Sequence, residues 1–135
     1  MVNKVYKDGR LVAMKIDFLQ GLDSTTFFTD ADSPLQVGII SKESMDPVKA
    51  HRHNIFQRNV LGTSEFLYVL EGSMTVTVFD ENFQNPEALQ LSVGSGVLLL
   101  GGAHSIEFEE STKLIEVKQG PYSAELDKVY LSELN

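Results

Sequence analysis

Short runs of β-forming residues, each ended by turn residues, set the fold class of this chain. From about residue 36 onwards, glycine, proline, asparagine and aspartate interrupt the sequence at short intervals, and no sustained helical periodicity lies between them. Many short strands with regular turns are typical of a sandwich or a barrel. The sequence therefore predicts an all-β protein with little helix, whose strand candidates are residues 36–41, 65–70, 74–79, 89–93, 97–100, 105–108 and 113–117.

The turn residues predict how some of these strands are connected. Residues 71–73 favour a tight hairpin, and residues 80–86, rich in Asp, Asn and Pro, favour a longer turn. Glycine-rich turns are expected at residues 94–96 and 101–102. The tail from residue 123 onwards is expected to form a short helix or a last strand.

Composition and charge exclude several classes of function. The chain has 135 residues, of which 42% are apolar and 22% charged, which fits a single domain covering residues 1–135. A net charge of -8 would repel a phosphate backbone and an anionic membrane surface, so we expect neither nucleic acid nor a membrane as partner. The chain has no cysteine, and Lys15 and Asp17 interrupt its N-terminal apolar run, so a cytoplasmic protein is expected.

Two of the three histidines, His51 and His53, are separated by one residue. In an extended segment, residues i and i+2 point to the same face about 6 to 7 Å apart, so both imidazoles are able to reach one metal ion while Arg52 points away. Glu65 opens the next predicted strand, and His104 follows a glycine-rich turn. Three nitrogens and one carboxylate oxygen form a mixed site that suits iron, manganese, nickel, zinc or copper.

Each of these residues also has a simpler interpretation. A histidine pair of this spacing occurs on protein surfaces and in hydrogen-bonding roles without a metal. Glu65 alone would be an exposed strand residue, and His104 alone would be a loop residue or a hydrogen-bonded core histidine. The metal hypothesis depends on all four side chains meeting at one point.

The spacing of these residues resembles the two motifs of the cupin family. In the first motif, an HxH pair precedes a glutamate that lies seven residues ahead of a glycine, as Glu65 lies ahead of Gly72 here. Residues 94–104 resemble the second motif, in which a strand led by glycine runs through a turn to the last ligand histidine.

The resemblance implies a double-stranded β-helix, the cupin jelly-roll barrel, over about residues 48–117. Residues 1–47 would then contribute N-terminal strands and residues 118–135 a C-terminal tail. The resemblance also implies one divalent transition metal ion, and its ligands would be His51, His53, Glu65 and His104.

Two departures from the family pattern stand out. Eleven residues separate His53 from Glu65, where the usual motif has three or four, so residues 54–64 are expected to form an additional loop near the barrel mouth. The second motif lacks its usual proline and the asparagine after the histidine. Residues 62–65, 101–104 and 117–122 together resemble an uncharacterised cupin subgroup associated with polysaccharide biosynthesis, which points to carbohydrate metabolism.

Four further residues are candidates for substrate binding. Arg58, in the extra loop, is able to bind a carboxylate or phosphate in bidentate fashion, or it is a solvated loop charge. Lys118, Gln119 and Tyr122 flank a turn after the last predicted strand, where they would contact ligand or fix the tail to the barrel. Phe66 and Tyr68, which alternate with Glu65, are expected to pack in the sheet away from the ligand.

The predicted function is a metal-binding cupin that acts on a small oxygen-rich metabolite, for example a sugar derivative, by Lewis-acid chemistry of the dioxygenase or isomerase type. Glu65 would be a ligand or a catalytic proton acceptor. A non-catalytic binding or sensing module and a metal-free sugar-nucleotide epimerase or isomerase remain alternatives. A homodimer is expected, because the family resemblance implies shared edge strands.

Overall fold

A computed structural model describes residues 1–21 and 23–134 of the protein as an all-β fold, which confirms the predicted all-β class with little helix. Leu22 and Asn135, which belong to the predicted N-terminal and tail regions, lie outside the described residues. The elements in chain order are β1 (Val2–Lys7), β2 (Arg10–Asp17), β3 (Thr26–Phe27), β4 (Gly38–Ile39), β5 (Glu65–Glu71), β6 (Ser73–Phe79), β7 (Glu87–Ser92), β8 (Ser95–Leu99), β9 (Ala103–Phe108), β10 (Lys113–Lys118) and one 3₁₀ turn at Leu131–Glu133.

All seven predicted strands are present, with ends within two residues of the prediction. The N-terminal hairpin formed by β1 and β2 is specified by local chemistry as well. Lys7 pairs with Arg10, which leaves a two-residue turn at Asp8 and Gly9, and both turn residues have positive φ values of 49° and 74°. Asp-Gly is a favoured sequence for this kind of hairpin turn, because both positions must adopt φ above zero.

The strands form three antiparallel sheets. The larger sheet has the order β1-β2-β8-β5-β10, the smaller sheet has the order β7-β6-β9, and β3 pairs with β4. Within the described residues these sheets do not join into a closed barrel. In the same ranges, no helix has the length and apolar character needed to cross a bilayer.

The predicted hairpin at residues 71–73 is wrong, because β5 and β6 belong to different sheets. Gly72 carries the chain from the larger sheet to the smaller one with φ of 82°, and a Cβ atom at this position would lie 2.5 Å from the carbonyl oxygen of Ser111. The longer turn at residues 80–86 does connect a hairpin, since β6 pairs with β7. The chain crosses back between β7 and β8, and Gly102 lies at the next crossing, from β8 to β9.

Two clusters of buried side chains flank the larger sheet. The main core lies between the larger and the smaller sheet, and its members include Leu67 and Val69 from β5 and Met74, Val76 and Val78 from β6. A second cluster lies on the opposite face of the larger sheet, where Met14, Ile16 and Leu98 pack against Val37 from the region around β4. Because both its faces are covered, β8 is buried along its whole length. The arrangement is a sandwich whose central strand is fixed from both sides.

Candidate functional site

Glu65 is placed by the alternation of side chains along β5. Leu67 and Val69, two and four residues further on, are buried in the main core, so Glu65 points to the same inner face of the larger sheet. Glu65 is the first residue of the strand, and its side chain is therefore at the end of the sandwich. Its side chain is 16% exposed.

His104 reaches the same end of the sandwich from the smaller sheet. It is the second residue of β9 and pairs with Val78 of β6, whose side chain is buried in the main core. The imidazole Nε2 lies 3.5 Å from Glu65 Oε2, and the His104 side chain is 32% exposed. One glutamate and one histidine from facing sheets thus meet where the core opens to solvent.

Residues of β10 extend this pair. Lys118 is the direct cross-strand partner of Glu65, and Glu116, two residues earlier, lies on the same face. Lys118 Nζ is 3.5 Å from Glu116 Oε1. The larger sheet therefore contributes two carboxyl groups and one ammonium group to the region around His104.

Burial governs the protonation of this group of residues. Loss of hydration, together with the neighbouring Glu116 carboxylate that shares the Glu65 proton, raises the pKa of Glu65 to about 7, although Lys118 and Lys128 act in the opposite direction. The same shared proton lowers the pKa of Glu116. Burial, together with Lys128, lowers the pKa of His104. Near neutral pH, Glu65 therefore exchanges a proton easily and His104 is mainly neutral.

A cleft of about 350 Å³ opens over the Glu65–His104 pair. Its walls are formed by Gly62 and Thr63 before β5, by the turn at residues 100–102, by Lys118, and by Asp127 and Lys128 from the C-terminal tail. The volume is at the lower end of the range for small-molecule sites. Half of the residues that line the cleft are ionisable, so it is suited to a polar ligand.

The two other predicted metal ligands lie elsewhere. His51 and His53 belong to an exposed segment between β4 and β5, and their rings contact each other at a centroid distance of 5.3 Å. The Nδ1 atom of His51 lies 2.8 Å from the carbonyl oxygen of Lys49. No three His, Asp or Glu side chains of residues 1–21 and 23–134 are placed to hold a metal ion. The structure thus assembles the predicted ligands as two separate pairs, and the complete metal site stays a prediction.

The predicted substrate-binding residues are also divided. Lys118 lines the cleft. Gln119 instead binds the backbone of Ser64: the side-chain Oε1 of Gln119 accepts a hydrogen bond from the Ser64 backbone N–H, and the backbone N–H of Gln119 donates to the Ser64 carbonyl oxygen at 3.3 Å. Arg58 stacks its guanidinium 3.7 Å from the ring centre of Phe56 in the exposed segment, and the Tyr122 ring lies 5.3 Å from Lys118 Nζ and is largely exposed.

Phe66 packs against the second cluster, on the face of β5 opposite to Glu65, and Tyr68 points to the same opposite face. Both rings contact Phe18 edge to face, at centroid distances of 6.0 and 5.7 Å. The predicted packing role of these two aromatic residues is therefore confirmed.

Four charged residues near the pair were not singled out from the sequence: Glu81, Glu116, Asp127 and Lys128. The position of Glu116 could have been predicted, because Glu116 stands two residues before Lys118 near the end of a predicted strand and so shares its face. The positions of Asp127 and Lys128 could not, since no local sequence pattern indicates the path of an irregular tail. Their position shows that the tail forms one wall of the cleft.

Comparison of the chain with protein-family models, with curated proteins and with solved structures gave no match. The site is therefore interpreted from its own geometry.

Proposed function

We propose that the cleft binds a small, oxygen-rich, anionic metabolite and that Glu65 transfers a proton of that metabolite, as in an isomerase. The observation that carries the proposal is the Glu65–His104 pair, held at 3.5 Å inside a cleft with two lysines on its wall. A pKa of Glu65 near 7 suits a group that both takes up and returns a proton at neutral pH. A jelly-roll arrangement of the strands is part of the same proposal.

The residues of the cleft suit the isomerisation of a hydroxy-carbonyl compound. The Glu65 carboxylate would remove a proton from the hydroxyl-bearing carbon next to the carbonyl group. The electron pair of that C–H bond would form a carbon–carbon double bond, while the π pair of the carbonyl group would move onto its oxygen. His104, as a neutral imidazole, would donate a hydrogen bond to this oxygen, and Lys118 and Lys128 would balance its negative charge. Transfer of the hydroxyl proton to the former carbonyl oxygen, and return of the first proton from Glu65 to the former carbonyl carbon, would complete the reaction with no net change of oxidation state.

The predicted divalent metal ion takes no part in this reaction scheme. Glu65 and His104 fit as two of its ligands, but His51 and His53 are not assembled with them. Iron, manganese, nickel, zinc or copper on all four residues, with His51 and His53 brought to the cleft, remains a prediction, as does the homodimer.

D-Glucuronate, which has a carboxylate and a carbon-bound proton next to its aldehyde, is a suitable probe. In deuterated water, the parent protein is expected to exchange the C2 proton of glucuronate, observed as loss of its proton NMR signal. Lys118→Met should raise the glucuronate concentration needed for half-maximal exchange about tenfold, because a charged contact contributes roughly 1.5 kcal/mol or more.

Lys113→Met is the matched control, because Lys113 is at the other end of β10, where it pairs with Glu71 in an exposed ion pair. It should leave the exchange unchanged. Absence of exchange by the parent protein, or equal effects of the two lysine variants, would count against the proposed function.

The metal prediction is tested by elemental analysis. After incubation with each of the five ions and removal of excess ion, the parent should retain about one equivalent, while His51→Ala and His104→Ala should each bind roughly 10- to 100-fold more weakly or not at all. A chelator should lower the melting temperature of the loaded parent, because an ion bound to the folded state stabilises it. Retention of the ion by both variants would show that these histidines are not its ligands.

A further inference from the structure

The segment that connects β4 to β5 is unpacked in a way that soluble proteins rarely tolerate. Residues 42–63 form no helix or strand, and the hydrogen bonds described for them stay within the segment. Ile55 and Leu61 are 104% and 93% exposed, and Met45, Val48 and Phe56 are exposed as well. Burial of each such side chain would stabilise the folded protein by about 1.5 to 3 kcal/mol. A conformation that buries several of them would therefore be considerably more stable than the exposed one.

The segment is also the basic part of an acidic chain. Residues 42–63 contain four basic side chains, those of Lys42, Lys49, Arg52 and Arg58, against the carboxylates of Glu43 and Asp46, whereas the whole chain has a net charge of -8. On the cleft wall, the carboxyl groups of Glu65, Glu81 and Asp127 stand against the ammonium groups of Lys118 and Lys128, and Glu116 lies beside Glu65. The cleft therefore has a small excess of carboxyl groups, which the positive charge of the segment would offset.

The connectivity keeps the segment close to the cleft. Gly62 and Thr63, at the end of the segment, are themselves part of the cleft wall. The few residues before them are within reach of the opening, since an extended chain covers about 3.3 Å per residue. A tether of this length makes closure an intramolecular step with a high effective concentration.

The cleft offers the segment a suitable surface. The partly exposed Leu100 forms an apolar part of its wall, and β9, which begins beside it, is an edge strand of the smaller sheet with one row of unpaired backbone groups. In an extended conformation, His51, His53 and Ile55 lie on one face of the segment. That face would place an apolar side chain and two imidazoles toward the opening.

From these observations we infer that residues 47–61, which we call the closing segment, fold over the Glu65–His104 cleft of the same chain. Closure buries the exposed apolar side chains, adds positive charge to an acidic opening, and brings the two histidine-containing pairs together. The inference rests on the proposed function only for what occupies the cleft. Closure itself is testable without any ligand.

The absence of cysteine makes disulfide trapping a clean test. Ile55→Cys combined with Glu81→Cys places one thiol on the closing segment and one on the cleft wall. The matched control combines Ile55→Cys with Ser111→Cys, in the exposed turn beyond the opposite end of β9. With diamide as oxidant, the first variant should form an intramolecular disulfide at least tenfold faster than the control, as seen by the mass of the monomer.

Equal rates for the two double variants would overturn the inference. A disulfide that forms only between two chains would overturn it too, because a second copy would then be the partner of the segment. Since a thiol at residue 81 removes a carboxylate, Gly101→Cys serves as a second site on the cleft wall. The variant that combines Ile55→Cys with Gly101→Cys should also form its intramolecular disulfide at least tenfold faster than the control.

The link between closure and metal binding has its own measurement. The chain has no tryptophan, so Phe56→Trp introduces a single reporter on the closing segment. Zinc should shift its fluorescence to shorter wavelength, and the shift should be absent when His104→Ala is added. A shift that persists without His104 would show that zinc does not join the segment to the cleft. The proposed function is tested separately, by the exchange of the glucuronate C2 proton.

Discussion

Glu65→Gln should reduce the exchange of the glucuronate C2 proton at least 100-fold while making the protein more stable at alkaline pH. The loss is expected because an amide cannot accept the proton, and a positioned general base contributes about 100- to 10,000-fold to such a step. The gain is expected because the folded protein holds an ionised Glu65 in a poorly hydrated place beside Glu116.

The pH range of this gain follows from the two states of Glu65. Below its ordinary pKa of 4.5, the carboxyl group is protonated in both the folded and the unfolded chain, so its burial does not lower the free energy of unfolding through ionisation. Between 4.5 and about 7 the unfolded chain has lost the proton while the folded chain retains it, and stability falls as pH rises. Above about 7 the full cost applies, and the free energy of unfolding of Glu65→Gln should then exceed that of the parent by about 3 kcal/mol.

Urea unfolding at pH 4.5 and pH 8.5, with a chelator present, measures this difference. Glu107→Gln, on the exposed outer face of β9, shows the effect of removing a carboxylate that is remote from the cleft. A Glu65→Gln protein that is less stable than the parent at pH 8.5 would assign Glu65 a structural role and contradict the site described above.

Gly102→Ala should destabilise the protein by about 3 kcal/mol and lower its melting temperature by about 10 °C. Gly102 has φ of 69°, and a Cβ atom there would lie 2.3 Å from the carbonyl oxygen of Phe79, so the backbone must shift. A left-handed conformation costs about 1 to 2 kcal/mol for a residue with a side chain, and the steric overlap adds a similar amount. Because His104 is two residues further on, glucuronate exchange should fall as well.

Gly101→Ala is the control for this prediction. The adjacent glycine does not have a positive φ, and the nearest atoms to an added Cβ would be 3.8 Å away on Glu81 and 3.9 Å away on Val12. Its stability should change by no more than about 0.5 kcal/mol. Similar melting temperatures for the two alanine variants would show that the close approach at Gly102 is not rigid.

Strand positions were predictable because they depend on local signals. The alternation of Met74, Val76 and Val78 and the turn residues after Phe79 define β6 without knowledge of its neighbours. The same alternation placed Glu65 at the start of a strand and Phe66 on its opposite face. Three ionisable residues of the candidate site, Glu65, His104 and Lys118, could therefore be found from the sequence.

The partners of each strand could not be found in this way. Gly72 is as compatible with a hairpin as with a crossing between sheets, and in the structure its closest neighbour is Ser111, nearly forty residues later. Lys128 reaches the cleft along an irregular tail, where no periodicity indicates direction. The closing segment combines two histidines with several apolar residues, and no local pattern indicates which surface of the fold these residues contact.

The repeated crossing of the chain between the two sheets has a consequence for how fast the protein acquires its structure. β5 pairs with β8 and β10, so the larger sheet is complete only after segments distant in sequence have met. The loops between these segments must close, with a loss of chain entropy, before the contacts that offset this loss are formed. Proteins with such connections refold in milliseconds to seconds rather than microseconds. During that delay the apolar strands are open to wrong partners, so the yield of correctly refolded protein should fall as its concentration rises.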